Sequence, residues 1–111
     1  MHKASRIRKN SQFRYVYRKG KRASGPLMVA YYVKAGRLQA GFSVSKKVGN
    51  AVVRNRVKRR LRESFRLMMP GLVRGNYVFA ARDAAAQADY QAISREMAEH
   101  LRKLGTQKDK P

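Results

Sequence analysis

From Asn10 onward the apolar positions recur at helical spacing. Phe13, Val16 and Tyr17 share one face, Asn10 or Ser11 stands where a cap would sit, and Gly20 follows the last turn. The pattern predicts a short helix, too marginal to persist unless it docks on something. Lys21 to Pro26 reads as a loop. Leu27 to Val33 is β-branched and aromatic and predicts a strand, with Lys34-Ala35-Gly36-Arg37 as a hairpin turn after it. Leu38 to Ser45 then alternates: Leu38, Ala40, Phe42 and Val44 point one way, and Gln39, Gly41, Ser43 and Ser45 the other.

Gly49-Asn50 punctuates the chain, and a helix is predicted from there to about Met69, stopped by Pro70-Gly71. At about 100° per residue, Val53, Val57, Leu61, Phe65 and Met68 fall on one stripe that must face a core. Gly75 to Arg82 predicts another strand. Tyr90, Ile93, Met97, Leu101 and Leu104 trace the inner face of a last helix, with Asp89 before it as cap and Gly105 after it. Residues 1–9 and 106–111 are polar and predict loosely ordered ends of one small domain spanning 1–111. A domain of this size builds one modest core.

Charge changes the picture. The chain has 27 Lys and Arg against 6 Asp and Glu, a formal +21. Self-repulsion at that charge opposes a compact state, so the composition points to a polyanionic partner. The charge is also lopsided. Nineteen of the basic residues lie in 1–62, and no acid occurs before Glu63.

The predicted central helix concentrates this asymmetry. Arg54, Arg56, Lys58, Arg59, Arg60, Arg62 and Arg66 cover everything outside the apolar stripe, with Glu63 as the helix's single acid. A solvated helix mixes signs to gain pairing four residues apart, whereas this one stacks like charges. Arginine outnumbers lysine here, and its planar fork suits phosphate oxygens and base edges. Nucleic-acid binding is the reading that fits. Phe13, Tyr17 and Tyr31 could stack unpaired bases or pack a core; Phe13 fits either equally, while the Tyr17 hydroxyl, which wants water, favours stacking. Ser43, Ser45 and Lys47 offer hydrogen bonds and charge where strand hands over to helix.

Other chemistries find little support. There are no cysteines, which excludes disulfides, Cys-ligated zinc and thiol catalysis. The longest apolar run, Leu27 to Val33, is too short for a membrane span or signal core, so the expectation is a soluble cytoplasmic protein. The acids are scattered over the second half, Asp83 and Asp89 read as helix-capping residues, and His2 and His100 have no evident partner. No protein active site and no protein-bound metal are expected.

The run from Lys46 to Glu63, centred on Arg54-Asn55-Arg56, resembles the signature of the bacterial ribonuclease P protein component. The resemblance extends outward through Asn-x-x-Phe-x-x-Val-Tyr at 10–17, Gly-Phe-Ser-Val-Ser at 41–45 and the late strand ending in Ala-Arg, covering about residues 5 to 104. It implies an α+β fold, a mixed β-sheet packed with helices as in the second domain of ribosomal protein S5, with a left-handed βαβ crossover. General handedness rules predict the opposite hand. It also implies a cleft for the single-stranded 5′ leader of precursor tRNA, lined at matching positions by Phe13, Tyr17, Tyr31, Ser43, Ser45 and Lys47. Tyr32 competes with Tyr31, because a slip of one residue changes face. Arg54, Asn55, Arg56, Lys58, Arg59 and Arg62 would contact the ribonuclease P RNA. That RNA would carry catalysis, with Mg²⁺ required by the assembled RNA–protein enzyme. The rival readings are a structural RNA-binding protein of ribosomal type, a DNA-binding architectural protein and a membrane-active basic peptide. The second lacks a helix-turn-helix pair, and the third needs the apolar stripe that the core claims.

Overall fold

The computed structural model describes residues 5–108. Three helices, α1 (Asn10–Lys19), α2 (Ala51–Met68) and α3 (Tyr90–Lys103), enclose a four-stranded mixed sheet. Its strands are β1 (Lys21–Ser24), β2 (Met28–Val33), β3 (Gln39–Ser43) and β4 (Asn76–Ala81), in spatial order β1-β2-β4-β3. β4 runs antiparallel to β2 and parallel to β3. The architecture is the small α+β domain that the sequence implies.

The sheet has two covered faces. On one, Met28, Ala30, Tyr77 and Phe79 meet Val57, Leu61 and Phe65 of α2 and Ile93, Met97 and Leu101 of α3 in the main core. Val57, Leu61 and Phe65 are fully buried, and Val53 and Met68 pack at the margins, so the stripe on α2 does what its spacing requires. On the opposite face, α1 lays Val16 against Ile7 and Val78, with Phe13, Tyr31 and Val33 around them. The Asn50 side chain caps α2 through the Val53 amide at 3.0 Å, and Asp89 caps α3 through the Ala92 amide at 2.8 Å.

The crossover from β3 through α2 to β4 is left-handed. Ala40 turns its side chain to the α2 face and its carbonyl outward, where it accepts from the Ile7 amide at 2.8 Å. For an L-residue this puts β4 on the left of β3 when the sheet is viewed from the helices with β3 pointing up. The chain therefore departs from the usual right-handed rule.

Several sequence expectations are corrected. Lys21–Ser24 is an edge strand rather than loop. It is short, and only Ala23 is buried, so no alternation betrays it. Residues 34–37 do not close a hairpin, because β4 inserts between β2 and β3 and pairs with both. The link from Val33 to Gln39 spans one strand width, about 10 Å across two sheet spacings. α1 begins at Asn10 with Lys9 in the capping position and no side-chain cap, so neither Asn10 nor Ser11 caps it. Arg6 and Ile7 are not loose: they bridge to Ala40 along the outer edge of β3, and Ile7 is buried. Nor do 106–108 fray, since the Val73 amide donates to Thr106 O at 2.8 Å and the Lys108 amide to Gly71 O at 2.9 Å. Residues 1–4, with His2, and 109–111 lie outside the described residues. His100 has partners after all, being buried against Glu96.

Candidate nucleic-acid interface

α1 crosses the sheet with Asn10, Phe13, Arg14 and Tyr17 on one face, a spacing of three and four that aligns them along the helix. Together with Phe42, Ser43 and Val44 at the end of β3, and Lys58 reaching in from α2, they line a cleft of about 490 Å³. The aromatic rings form a relay. Phe13 and Tyr17 are tilted with centroids 6.3 Å apart, and Tyr17 meets Tyr31 edge-on at 4.8 Å. Tyr17 is exposed and Tyr31 half-buried.

The choice between the adjacent tyrosines follows from strand alternation. Tyr31 points to the α1 face and touches Tyr17, whereas Tyr32 points to the opposite face, where its hydroxyl donates to Arg74 O and its ring lies 4.9 Å from that of Tyr77.

Gly41 sets the depth of the cleft. A Cβ there would fall 2.6 Å from Phe13 Cζ, so only glycine lets the ring lie against β3. Past Phe13 the cleft adjoins a recess of about 300 Å³, bordered by Arg6, Arg8, Lys58 and Arg62 over Ile7, Gly41 and Phe42. Among the described residues no acid lines either space. Burial, followed by repulsion from Arg6, holds the Arg62 guanidinium below its ordinary value. This is an arrangement of like charges with nothing opposite to them.

The cations of α2 divide by direction. Lys58 and Arg62 line the recess. Arg56 Nη2 donates to Ala86 O at 3.3 Å and Arg60 Nη1 to Ala88 O at 2.6 Å, on the side of the short 83–87 turn. Asn55 and Arg59 are exposed between these two rows, and Arg54 is half-buried with a buried Nε that has no partner. Arg66 is the one guanidinium neutralised on this helix: its Nε donates to Glu63 Oε2 at 3.0 Å. Among the described residues α2 makes no other ion pair.

Not every predicted site residue lines the cleft. Tyr31 adjoins it only through Tyr17. Ser45 and Lys47 sit beyond Val44, in a separate groove with Pro26, Arg82 and Asp83 at the end of the sheet. Arg82 is held there by a 2.7 Å hydrogen bond from Nη2 to Ser24 Oγ. Sequence reasoning also missed Asn10, Arg14, Arg6 and Arg8. The first two could have been found by extending the spacing of Phe13 and Tyr17 to polar residues. The others follow only from the edge bridge at Ala40, which has no local signature.

The family model for ribonuclease P matches residues 1–105. The chain is 44% identical to the ribonuclease P protein component of Clostridium botulinum strain Langeland, covering 93% of this chain and 96% of the relative. It is 40% identical to that of Caldanaerobacter subterraneus, over 97% and 96%. Its fold matches the ribonuclease P protein of Staphylococcus aureus with a TM-score of 0.88 at 31% identity, covering 96% of this chain and all of that one. The corresponding Thermotoga maritima structure matches with a TM-score of 0.76 at 25% identity, over 85% and 92%. A basic helix beside an aromatic, acid-free cleft, on this fold and with these relatives, places the chain in the ribonuclease P protein family.

Proposed function

We propose that the chain works as the RNA-binding subunit of ribonuclease P, docking through α2 on the RNA subunit and holding the 5′ leader of precursor tRNA in the cleft beside α1. The observation that carries this is the continuity of the two surfaces. Lys58 belongs both to the aromatic cleft and to the cationic face of α2, so one RNA assembly can engage both. Arg54, Arg56, Arg59 and Arg62 neutralise phosphates of the RNA subunit and release counterions, with Asn55 among them. Phe13, Tyr17 and Tyr31 take unpaired leader bases by stacking, which tolerates any sequence, and Ser43 donates to the backbone. Ser45, Lys47 and Arg82 continue that track past the mouth of the cleft.

In this reading the protein acts by binding, and the RNA subunit performs hydrolysis. Mg²⁺ is assigned in this reading to the RNA–protein assembly, with the RNA subunit that performs the hydrolysis; among the described residues no three of His, Asp or Glu stand close enough to hold a metal ion. No helix among the described residues is long and apolar enough to cross a membrane, and the cytoplasm, where tRNA precursors are matured, is the proposed compartment. Family membership favours this reading over a structural protein of ribosomal type.

The test joins purified protein and a bacterial ribonuclease P RNA at low Mg²⁺ and compares precursor with mature tRNA. Cleavage should require both components, and the assembly should prefer the precursor. Phe13→Ala with Tyr17→Ala should weaken precursor binding about tenfold or more, at roughly 1–3 kcal/mol per stacked base, while mature tRNA binding stays unchanged. Cleavage by protein alone, or equal losses for both tRNAs, refutes the assignment.

A further inference from the structure

The other end of the sheet carries a second recess that the proposed leader path and the α2 face do not use. Tyr32, Ala35, Gly36 and Val73 form its floor and walls, with Lys34, Arg74 and Lys108 around it, enclosing about 620 Å³. It lies where β2 ends and β4 begins, whereas Ser43 stands beside Ala80 at the opposite end of β4. Among the described residues no acid lines it.

The floor is a rigid aromatic platform. Tyr32 is pinned by its hydroxyl on Arg74 O and by the Tyr77 ring. Gly75, at a φ of +153°, lets the backbone pass so close that a Cβ would come within 2.3 Å of Tyr32 Cε1. A pinned ring costs little further ordering when a flat ligand stacks on it. Lys21, the cross-strand partner of Tyr32 on the same face, adds another ammonium beside the platform.

An apolar recess around a fixed tyrosine, ringed by cations, matches one ligand chemistry: a flat heteroaromatic ring attached to an anion. We infer that this recess holds an unpaired nucleotide of the RNA subunit, its base against Tyr32 and its phosphates between Lys34, Arg74 and Lys108. The inference rests on the proposed RNA-binding function and adds a contact that function does not need. α2 is 18 residues long, about 27 Å at helical rise. The recess lies beyond its carboxyl end, so the RNA would grip the protein at both ends of the sheet.

The experiment measures binding of the full chain to the RNA subunit over a range of salt concentrations, with no tRNA present. Lys34→Ala with Arg74→Ala removes two cations, both exposed, and leaves the Arg74 carbonyl that receives the Tyr32 hydroxyl. The double variant should bind about tenfold more weakly, and its salt slope should be shallower by about 1.5. The control, Arg95→Ala with Arg102→Ala on the exposed side of α3, makes the same change in net charge and should leave affinity near that of the unaltered chain. RNA substituted with 5-bromouridine should, on irradiation, give an adduct within residues 32–36 or 73–74. The inference is overturned if the double variant keeps the original slope, if the control loses as much, or if adducts form only at α2 and the cleft. Failure of the unaltered chain to bind the RNA at all would instead refute the underlying function.

Discussion

Glu96 is the acid that the fold turns inward. Its Oε2 accepts from the Met28 amide at 2.9 Å and its two oxygens share the Leu27 amide at 3.2 and 3.1 Å, so one side chain of α3 satisfies the start of β2. His100 stands 3.1 Å away, and its Nε2 also lies 3.2 Å from Met28 O. Because both neighbours are acceptors, Nε2 is the nitrogen that carries the proton. The turn before β2 fits around this pair, since a Cβ on Gly25 would come 2.7 Å from Glu96 Oε2. Glu96→Gln can keep an oxygen at the Oε2 position for both amides only by setting its NH2 against the Leu27 N–H, donor facing donor, and it removes the charge that strengthens the bonds to Oε2. The expected loss is about 1–3 kcal/mol, read as a lower midpoint in urea unfolding followed by circular dichroism at neutral pH. An unchanged midpoint would mean that these amides do not depend on the carboxylate. None of this was visible in the sequence. The spacing of four between Glu96 and His100 is legible, but their main-chain partners lie 68 to 72 residues away.

At the scale of elements, what could be read was what repeats. α2 and α3 announce themselves through stripes that recur over several turns and through Asn50 and Asp89, whose caps are local chemistry. β2, β3 and β4 were recognisable as strands from composition and alternation, while their pairing was not. Adjacent strands with a short connection suggest a hairpin, and nothing near residues 34–37 reports that β4, some forty residues later, will lie between them. β1 stayed hidden because an edge strand with one buried residue has no period to detect. The cleft was half legible for the same reason: Phe13, Tyr17 and Tyr31 were identifiable by type, whereas the role of Gly41 depends on α1 lying across β3. That role can be tested. Adding a methyl by Gly41→Ala pushes against the far end of the Phe13 ring, which can swing toward the cleft at small cost, unlike a collision with backbone. Stability should therefore fall by less than the roughly 1–3 kcal/mol usual for overpacking, while precursor tRNA binding by the RNA–protein assembly drops severalfold and mature tRNA binding holds. A large loss of stability with unchanged leader discrimination would show that Phe13 is core and not platform.

At the scale of the whole molecule, the dominant fact is a net charge of +21 on 111 residues. Two kinds of anion effect follow, and they can be separated. Any salt screens the general repulsion, so chloride should raise stability gradually. The recess between Arg6, Arg8, Lys58 and Arg62 predicts something more specific, because it is preformed, acid-free among the described residues and closed on one side by the segment that bridges to Ala40. An anion bound there only in the folded state stabilises it by mass action, about 1.4 kcal/mol at ten times its dissociation constant. For a domain of this size that is roughly 6–11 °C in melting temperature. Inorganic phosphate should thus raise the melting temperature well above the value in sodium chloride of equal ionic strength, and the excess should saturate. Lys58→Ala with Arg62→Ala should remove the excess and keep the general salt response, since most of the charge remains. Equal shifts in phosphate and chloride would mean that the recess recognises no anion and that only net charge matters. A saturating excess would instead show the protein's fold and its affinity for phosphates drawing on the same side chains, so that binding RNA also completes the stability of the N-terminal edge.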